Sequence, residues 1–372
     1  MRLAYLSQSR IPSREANAVH VMRMCAAFAA LGHEVVLFAP DIATDEPDAG
    51  DPFAFYGVSR SFEIRKLPWA RVKGRAWIYG WQAGRATRGA FDAAYGRSLH
   101  ACAVAAFGGL PTAWDAHMGT FLARLDERVL FKRMIASAHF RGMTTNCSAL
   151  RSAIVAAVPP VADRVVAAQN GADPVPDDLA PADLGGEPGR LQAGYVGQLY
   201  PGKGLETILA IAALAPWADF HVVGGNRDRL ADIAAGVPLP PNLRLHGFVR
   251  PADTARALVA CDVLLAPYQR EVETAGGGDT GAWMSPLKLF DYMASGRAIL
   301  CSDLPVLREI MDPEIGVLLP PGDAQAWADA LARLAADAEE RRRLGQAAKA
   351  RFLARHTWRR RAEIAIGVLT QA

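Results

Sequence analysis

Short runs of consecutive apolar residues alternate along this chain with longer stretches whose apolar residues recur every three or four positions. The first pattern suits strands buried on both faces of a parallel sheet, and the second suits amphipathic helices laid over it. RLAYLS (2–7) predicts a strand, ANAVHVMRMCAAFAALGH (16–33) a helix closed by Gly32, and EVVLFAP (34–40) the next strand. FDAAYGRS (91–98), PTAWDAH (111–117), GMTTNCS (142–148) and RVVAAQNGAD (164–173) predict later strands that run into loops. The pattern then stops. PVPDDLAPADLGGEPG (174–189) is rich in Pro, Gly and Asp, has no periodicity, and reads as a linker.

After the linker the alternation restarts. LQAGYVGQL (191–199), DFHVVGG (219–225), NLRLHGFV (242–249), CDVLLAPY (261–268), AILCSD (298–303) and GVLLPPGD (316–323) predict strands, with a helix over 204–215 between the first two. The stretch 338–369 predicts helix and is basic in its middle. Strands alternating with helices on this scale predict βαβ units, so the fold class is α/β with two doubly wound parallel sheets. A chain of 372 residues has room for two such domains.

Composition narrows the function more than the fold. Lys and Arg number 41 against 38 Asp and Glu, a balance that argues against a dedicated nucleic-acid binder. Cys25, Cys102, Cys147, Cys261 and Cys301 form no CxxC and no zinc spacing, which fits small apolar thiols in a reducing compartment. MRLAYLSQSRIP has no leader-like apolar core, and nothing approaches a membrane span, so a cytoplasmic location is expected. No GxGxxG follows the first strand, and GYVGQLYPGKG (194–204) has the wrong spacing for a dinucleotide site.

Candidate chemistry concentrates in GGGDTGAWMSPLKLFDYMASG (276–296). Ser285 followed by Pro286 reads as an N-cap and first helical residue, after three glycines that let backbone approach a ligand closely. The unpaired N–H groups and dipole of a helix start make it an anion cradle. Asp291 follows six residues beyond the cap, about 9 Å along the axis at 1.5 Å per residue. That reach suits a ribose whose diphosphate sits at the helix start; pairing with Lys288 at i,i+3 is the alternative. A second helix start after a strand, in GQLYPGKG (197–204), carries Lys203. Elsewhere KLPWARVKGRAWIYGWQAGRATRGAF (66–91) interleaves Trp69, Trp77, Tyr79 and Trp81 with lysines and arginines. That mixture suits a membrane interface, a glycan platform, or a helix face with a few packed tryptophans. Arg97 in YGRS, at a strand end, suits an acceptor phosphate or carboxylate.

YVGQLYPGKG, NLRLHGFV, CDVLLAPY and SPLKLFDYMASGRAILCSDLPVLREI, with HVMRMCAAFAALGHEVVLFAP, WDAH, CSALRSAI and QNGAD before the linker, resemble the retaining glycosyltransferases of family four. The resemblance implies the GT-B fold, two Rossmann-like domains facing a central cleft. The expected division is an acceptor-side domain 1–173, linker 174–189, a nucleotide-sugar domain 190–355, and a helix 356–372 packing back on the N-terminal domain. It implies transfer of a sugar from a nucleotide sugar to a glycan or lipid-linked acceptor without a metal; the 66–91 stretch adds an expected peripheral membrane contact, and neither a cofactor nor nucleic acid is expected.

Carried over by motif, Lys203 and His117 are the implied catalytic groups, His117 donating a hydrogen bond near the transferred sugar. Gln198, Gly278, Asp279, Ser285, Pro286, Leu287 and Lys288 are implied for diphosphate and sugar, and Val249 and Asp291 for the nucleoside. Asn17, His20 and Arg97 are implied on the acceptor side. Three positions depart from the family pattern. Trp283 stands where the first of two acids is usual, Gln198 where an arginine is usual, and PSREANAVH where a glycine pair is usual. Glu271, Glu273 and Asp279, in the same loop, are the candidates to hold the sugar hydroxyl in place of the missing acid. A sugar-nucleotide epimerase of the same architecture and a non-catalytic sugar-nucleotide binder are the alternative readings.

Overall fold

The computed structural model describes residues 1–44, 46, 50–225, 236, 239–273 and 281–371. They form two compact units, Met1–Asn170 with Trp358–Ala372, and Gly171–Thr357.

The first unit is built on β1 (Arg2–Leu6), β2 (Glu34–Asp41), β3 (Glu63–Pro68), β4 (Ala93–Gly96), β5 (Thr112–Ala116), β6 (Phe140–Thr145) and β7 (Val165–Ala167). All pair in parallel, in the order β3-β2-β1-β4-β5-β6-β7. Strands β1 and β5 are buried almost throughout because helices cover both faces, which explains their uninterrupted apolar sequences. Tyr5, Phe28 and Tyr95 form an edge-to-face cluster under the sheet's carboxyl end, Tyr5 and Tyr95 with centroids 5.7 Å apart. The helix Trp358–Thr370 packs on the helix Ala16–Ala30 and on β6. The expected strand 164–173 shrinks to Val165–Ala167. Edge strand β3 breaks the apolar pattern because its EIRKLP side chains are largely half-exposed, so only the structure reveals it.

The second unit carries β8 (Leu191–Val196), β9 (Ala218–Val223), β10 (Leu243–Gly247), β11 (Val263–Ala266), β12 (Ala298–Ser302) and β13 (Val317–Leu319). Again all are parallel, in the order β10-β9-β8-β11-β12-β13. Its core gathers Tyr195, Phe220, Val263, Leu300 and Leu331 around the fully buried Trp327, whose indole N–H donates to the Pro320 carbonyl at 3.0 Å. In each sheet the strand order reverses once, between β1 and β4 and between β8 and β11. Crossovers leave to opposite sides there, and the strand ends open a crevice, where ligands of open α/β sheets bind. No described helix is long and apolar enough to cross a membrane, and all five cysteines are buried and free.

Candidate functional site

In the second unit, β8 ends at Val196 and the chain turns through Gly197 into the segment that holds Lys203. Gly204 caps the following helix, Leu205–Leu214, at φ 88°, with its α-carbon against the Pro267 carbonyl, so a side chain there would meet backbone. The Lys203 ammonium lies 5.1 Å from the centre of the Tyr200 ring. Lys203 is half-buried, yet the protein around it pushes its pKa down to about 8.

Lys288 occupies the first turn of the helix Leu287–Ser295, and only 8% of its surface is exposed. Its Nζ stands 3.6 Å from the centre of the Tyr195 ring and 4.8 Å from that of Tyr268. Among the described residues it has no hydrogen-bond partner, so the i,i+3 pairing with Asp291 is not formed. Burial first, and Lys203 second, hold its pKa well below the usual lysine range. Two lysine amines thus approach one another at the β8–β11 switch point.

The helix is tied there by Tyr292, whose hydroxyl accepts from the Val196 N–H at 2.8 Å and reaches the Leu265 carbonyl at 3.3 Å. The helix start falls one residue later than the sequence suggests. Pro286, extended at φ −69° and ψ 121°, is the N-cap, and the buried Ser285 precedes it. Pro286 cannot donate an N–H and its own ψ is not helical, so it ends the preceding segment rather than starting the turn.

Gly197 has φ 153°, and a Cβ built on it would sit 3.3 Å from the Lys288 ammonium. Gly197→Ala is therefore expected to cost about 1–3 kcal/mol and to displace Lys288 from its ring cage. Urea titration of the variant checks this; an unchanged midpoint would mean that the backbone relaxes freely.

The other expected residues distribute as follows. Gln198 is half-buried, and its carbonyl accepts from the Tyr195 hydroxyl at 2.6 Å. Leu287 and Asp291 lie half-buried on the same helix as Lys288. Val249 follows the end of β10, which the Gly224 N–H to Gly247 carbonyl bond (2.7 Å) aligns with β9. Trp283 is half-buried in a short turn, Gly281–Trp283. Glu271 and Glu273 are exposed on a segment bonded to the Lys203 turn through Gln269 N–H to Gly202 O and Glu273 N–H to Pro201 O. Gly278 and Asp279 lie outside the described residues, as do Gly276 and Gly277.

The first unit builds a separate polar cluster at the carboxyl end of β5. Asp115, the penultimate residue of that strand, faces His117, two positions on and therefore on the same side. Its carboxylate, 1% exposed, accepts from Thr144 Oγ1 at 2.8 Å and from Arg361 Nη2 at 3.0 Å, and it meets both His117 Nε2 (3.0 Å) and His20 Nε2 (3.1 Å). Burial would raise the Asp115 pKa, but Arg361 and then His117 hold it well below the carboxylate range. His20 is buried from the helix Ala16–Ala30, with Asn170 at 3.0 Å on its other ring nitrogen and Trp358 edge-on at 5.2 Å. Arg97 follows β4 at the β1–β4 switch point, with its backbone N–H bonded to the Leu6 carbonyl. Burial lowers its guanidinium's pKa while Asp115 raises it, and no described side chain hydrogen-bonds it. Asn17 donates to Glu15 at 3.0 Å at the start of the same helix as His20.

Asp115, Arg361, Thr144 and Asn170 were not legible as site residues. Asp115 had one available signal, its i,i+2 spacing to His117, whereas Arg361 sits in an undistinguished basic run. Among the described residues, one group has metal-ligand spacing: His20, Asp115 and His117, with ligand atoms within 4.8 Å of one another. The Arg361 guanidinium already lies on both Asp115 oxygens, so a dication placed there would face a fixed cation.

Comparison with known proteins places both halves. The profile described as "Glycosyltransferase Family 4" matches residues 18–175, and "Glycosyl transferases group 1" matches residues 190–337. A phosphatidyl-myo-inositol mannosyltransferase of Mycobacterium leprae is 33% identical over 164 residues, 42% of this chain and 40% of that protein. The alignment thus spans well under half of that relative. Among solved structures, a sucrose-phosphate synthase from Thermosynechococcus elongatus superposes with a TM-score of 0.70 at 19% identity, covering 99% of this chain and 98% of the other. An Anabaena protein, Alr3699/HepE, solved in complex with UDP and glucose, superposes with a TM-score of 0.71 at 16% identity over the whole of both chains. At such identities the structural likeness speaks for the fold.

Proposed function

We propose, from the premise that this chain belongs to the glycosyltransferases of family four and has their GT-B fold, that it moves a sugar from a nucleoside-diphosphate sugar to an acceptor hydroxyl with retention at the anomeric carbon. One observation carries the reading. The Lys288 amine is buried beside Lys203 with no hydrogen-bond partner among the described residues, at the switch point of a parallel sheet. A bound pyrophosphate supplies the counter-charge that this pair lacks. As the glycosidic bond breaks, the departing diphosphate gains charge, and fixed ammoniums with the helix start stabilise it. Asp291, one turn further along, is proposed to hold the ribose. The Anabaena likeness makes a uridine donor the first to test.

A thermal-shift screen across UDP-, GDP- and ADP-sugars tests the donor, because stabilisation grows with concentration over Kd. One nucleotide sugar is expected to raise Tm well above the rest; a flat response to all of them would end the proposal. Donor incubated alone should persist, and its conversion without acceptor would make the protein an epimerase. Since the lysines and the helix start are proposed to neutralise the leaving group, chelator should leave the rate unchanged.

Proton linkage gives a second test. Ligand-free Lys203 titrates near 8, burial and Lys203 hold Lys288 well below the usual lysine range, and a diphosphate favours both charged. Binding should therefore take up protons, with affinity full at low pH and declining as pH rises from 7 to 9. Calorimetry at pH 8 in buffers of different ionisation heat reads the uptake directly; zero uptake would remove the lysines from the phosphate.

The first unit is proposed to serve the acceptor, with Arg97 taking an anionic group on a glycan or lipid-linked substrate. The helix Arg75–Ala86 suits a peripheral contact with an anionic membrane in the cytoplasm. Trp77 and Trp81 are 41% and 54% exposed there, and Arg85 lies over Trp81 at 5.2 Å, while Tyr79 on the same helix is buried. Flotation should show binding to anionic and not zwitterionic vesicles, weakened by Trp81→Ser. Equal recovery with both would remove the membrane role.

A further inference from the structure

The buried carboxylate of Asp115 decides where the His117 proton sits. Oδ2 and the His117 Nε2 are 3.0 Å apart, and two such atoms need a proton between them. Asp115 stays ionised because Arg361 bonds both of its oxygens, so the proton belongs to Nε2. Arg361 Nη2 also lies 3.5 Å from Nε2, too far to compete with its own 3.0 Å bond to Oδ1.

A second proton on the ring would add a cation beside two that are already there. Burial first, then Arg97, push the His117 pKa down to about 4, with Arg361 acting in the same direction and Asp115 against it. His20, edge-on at 4.6 Å, is itself held neutral by burial and by Arg361. Tyr5 and Tyr95, with the nearby Cys25 and Cys102 thiols, have pKa values raised by burial and stay uncharged. A neutral imidazole protonated on Nε2 has only a lone pair at Nδ1. No described hydrogen bond reaches Nδ1, and the His117 side chain retains 10% exposure.

We propose that Asp115, locked by Arg361 from the terminal helix, fixes His117 as the Nε2–H tautomer, so that it meets substrate through Nδ1 as a hydrogen-bond acceptor. This reverses the donor role that the family resemblance implies, and it rests on the glycosyl-transfer reading only for the word substrate. The group recognised is a hydroxyl or amide that donates; a fluoro analogue at that position accepts but cannot donate, and it should bind more weakly. Arg361 is a positioning residue, acting through Asp115.

The test is a long-range nitrogen–proton spectrum of the full-length protein labelled with ¹⁵N-histidine, recorded from pH 5.5 to 8. His117 is assigned by the signals missing in His117→Gln. Protonated Nε2 and bare Nδ1 across that range are expected; a proton on Nδ1, or charging of the ring within the range, overturns the proposal. Arg361→Met should raise the His117 pKa into the window, because Asp115 then lacks its cation, while Arg361→Lys should leave the ring neutral. Identical titration in both variants would count against Arg361, and the unsubstituted protein gives the tautomer even if neither variant folds. The spectrum needs no turnover, so an inactive protein with the Nε2–H tautomer sinks the proposed function and leaves this assignment standing.

Discussion

Arg361→Met is expected to remove about 3–5 kcal/mol of stability from the first unit, because it leaves a buried carboxylate without its cation. Asp115 and Arg361 are 1% and 2% exposed, and the two histidines on the same carboxylate are neutral. Nothing else described there bears a charge that bonds Asp115. Replacing the guanidinium by a side chain of similar length keeps the contact with Met24 and Tyr95 roughly filled, so the loss reports charge rather than volume.

The pH dependence has a definite sign. With Arg361 present, the folded pKa of Asp115 is depressed, so its contribution is full above the unfolded value of about 3.9 and is lost only as pH falls towards the folded one. Without Arg361, the buried carboxylate is neutralised by a proton taken up by the Asp115–His117 pair at higher pH than Asp115 takes one in the unfolded chain. The variant should then lose stability as pH rises, and its deficit should be larger at pH 7.5 than at pH 5. Urea titrations followed by tryptophan fluorescence measure both. A deficit under about 1 kcal/mol, or one independent of pH, would show that Asp115 is not held by this ion pair.

Lys288→Met should move stability and affinity in opposite directions. Methionine keeps the stem against Tyr195 and Tyr268 but removes an amine that is buried without a hydrogen bond. Relieving that desolvation is expected to stabilise the ligand-free second unit by about 1–3 kcal/mol. The same change should weaken a nucleoside diphosphate by about 10–100-fold, since a hydrogen bond to a charged group contributes about 1.5–3 kcal/mol. Affinity for the bare nucleoside should change less than about threefold. Lys203→Ala should give the same contrast between diphosphate and nucleoside. Calorimetry with both ligands decides: equal losses for nucleoside and diphosphate would take the lysines out of phosphate binding. Gain of stability without loss of affinity would make Lys288 a buried liability with no ligand.

Much of the architecture was readable because burial on both faces of a parallel strand leaves few alternatives to a continuous apolar run. Strands β1, β2, β5, β8, β9 and β12 lie within runs of that kind, and the helix Ala16–Ala30 carries its apolar stripe in plain view. Edge positions escaped: β3 has one face and one edge in water, so charged residues interrupt it. At the site, Lys203 and Lys288 were legible because each sits by a helix start after a strand. Asp115 lay hidden inside WDAH, since an acid within an apolar strand has no meaning until its partners are known. Arg361 was silent, one arginine in WRRRAEIAIG whose neighbours Arg359 and Arg360 both pair with Glu363.

Sequence alone therefore determined the two α/β halves with their parallel sheets and the lysines beside two helix starts, whereas the strand order came from the structure. The halves and the lysines follow from local periodicity and from chain order, which a linear string contains. Only the tertiary structure decided that Lys288 lies unpaired between two tyrosine rings and that Arg361 crosses 246 positions of sequence to bond Asp115. Desolvation and charge pairing depend on what surrounds a group in space, and a side chain's neighbours at that range are set by packing rather than by sequence spacing.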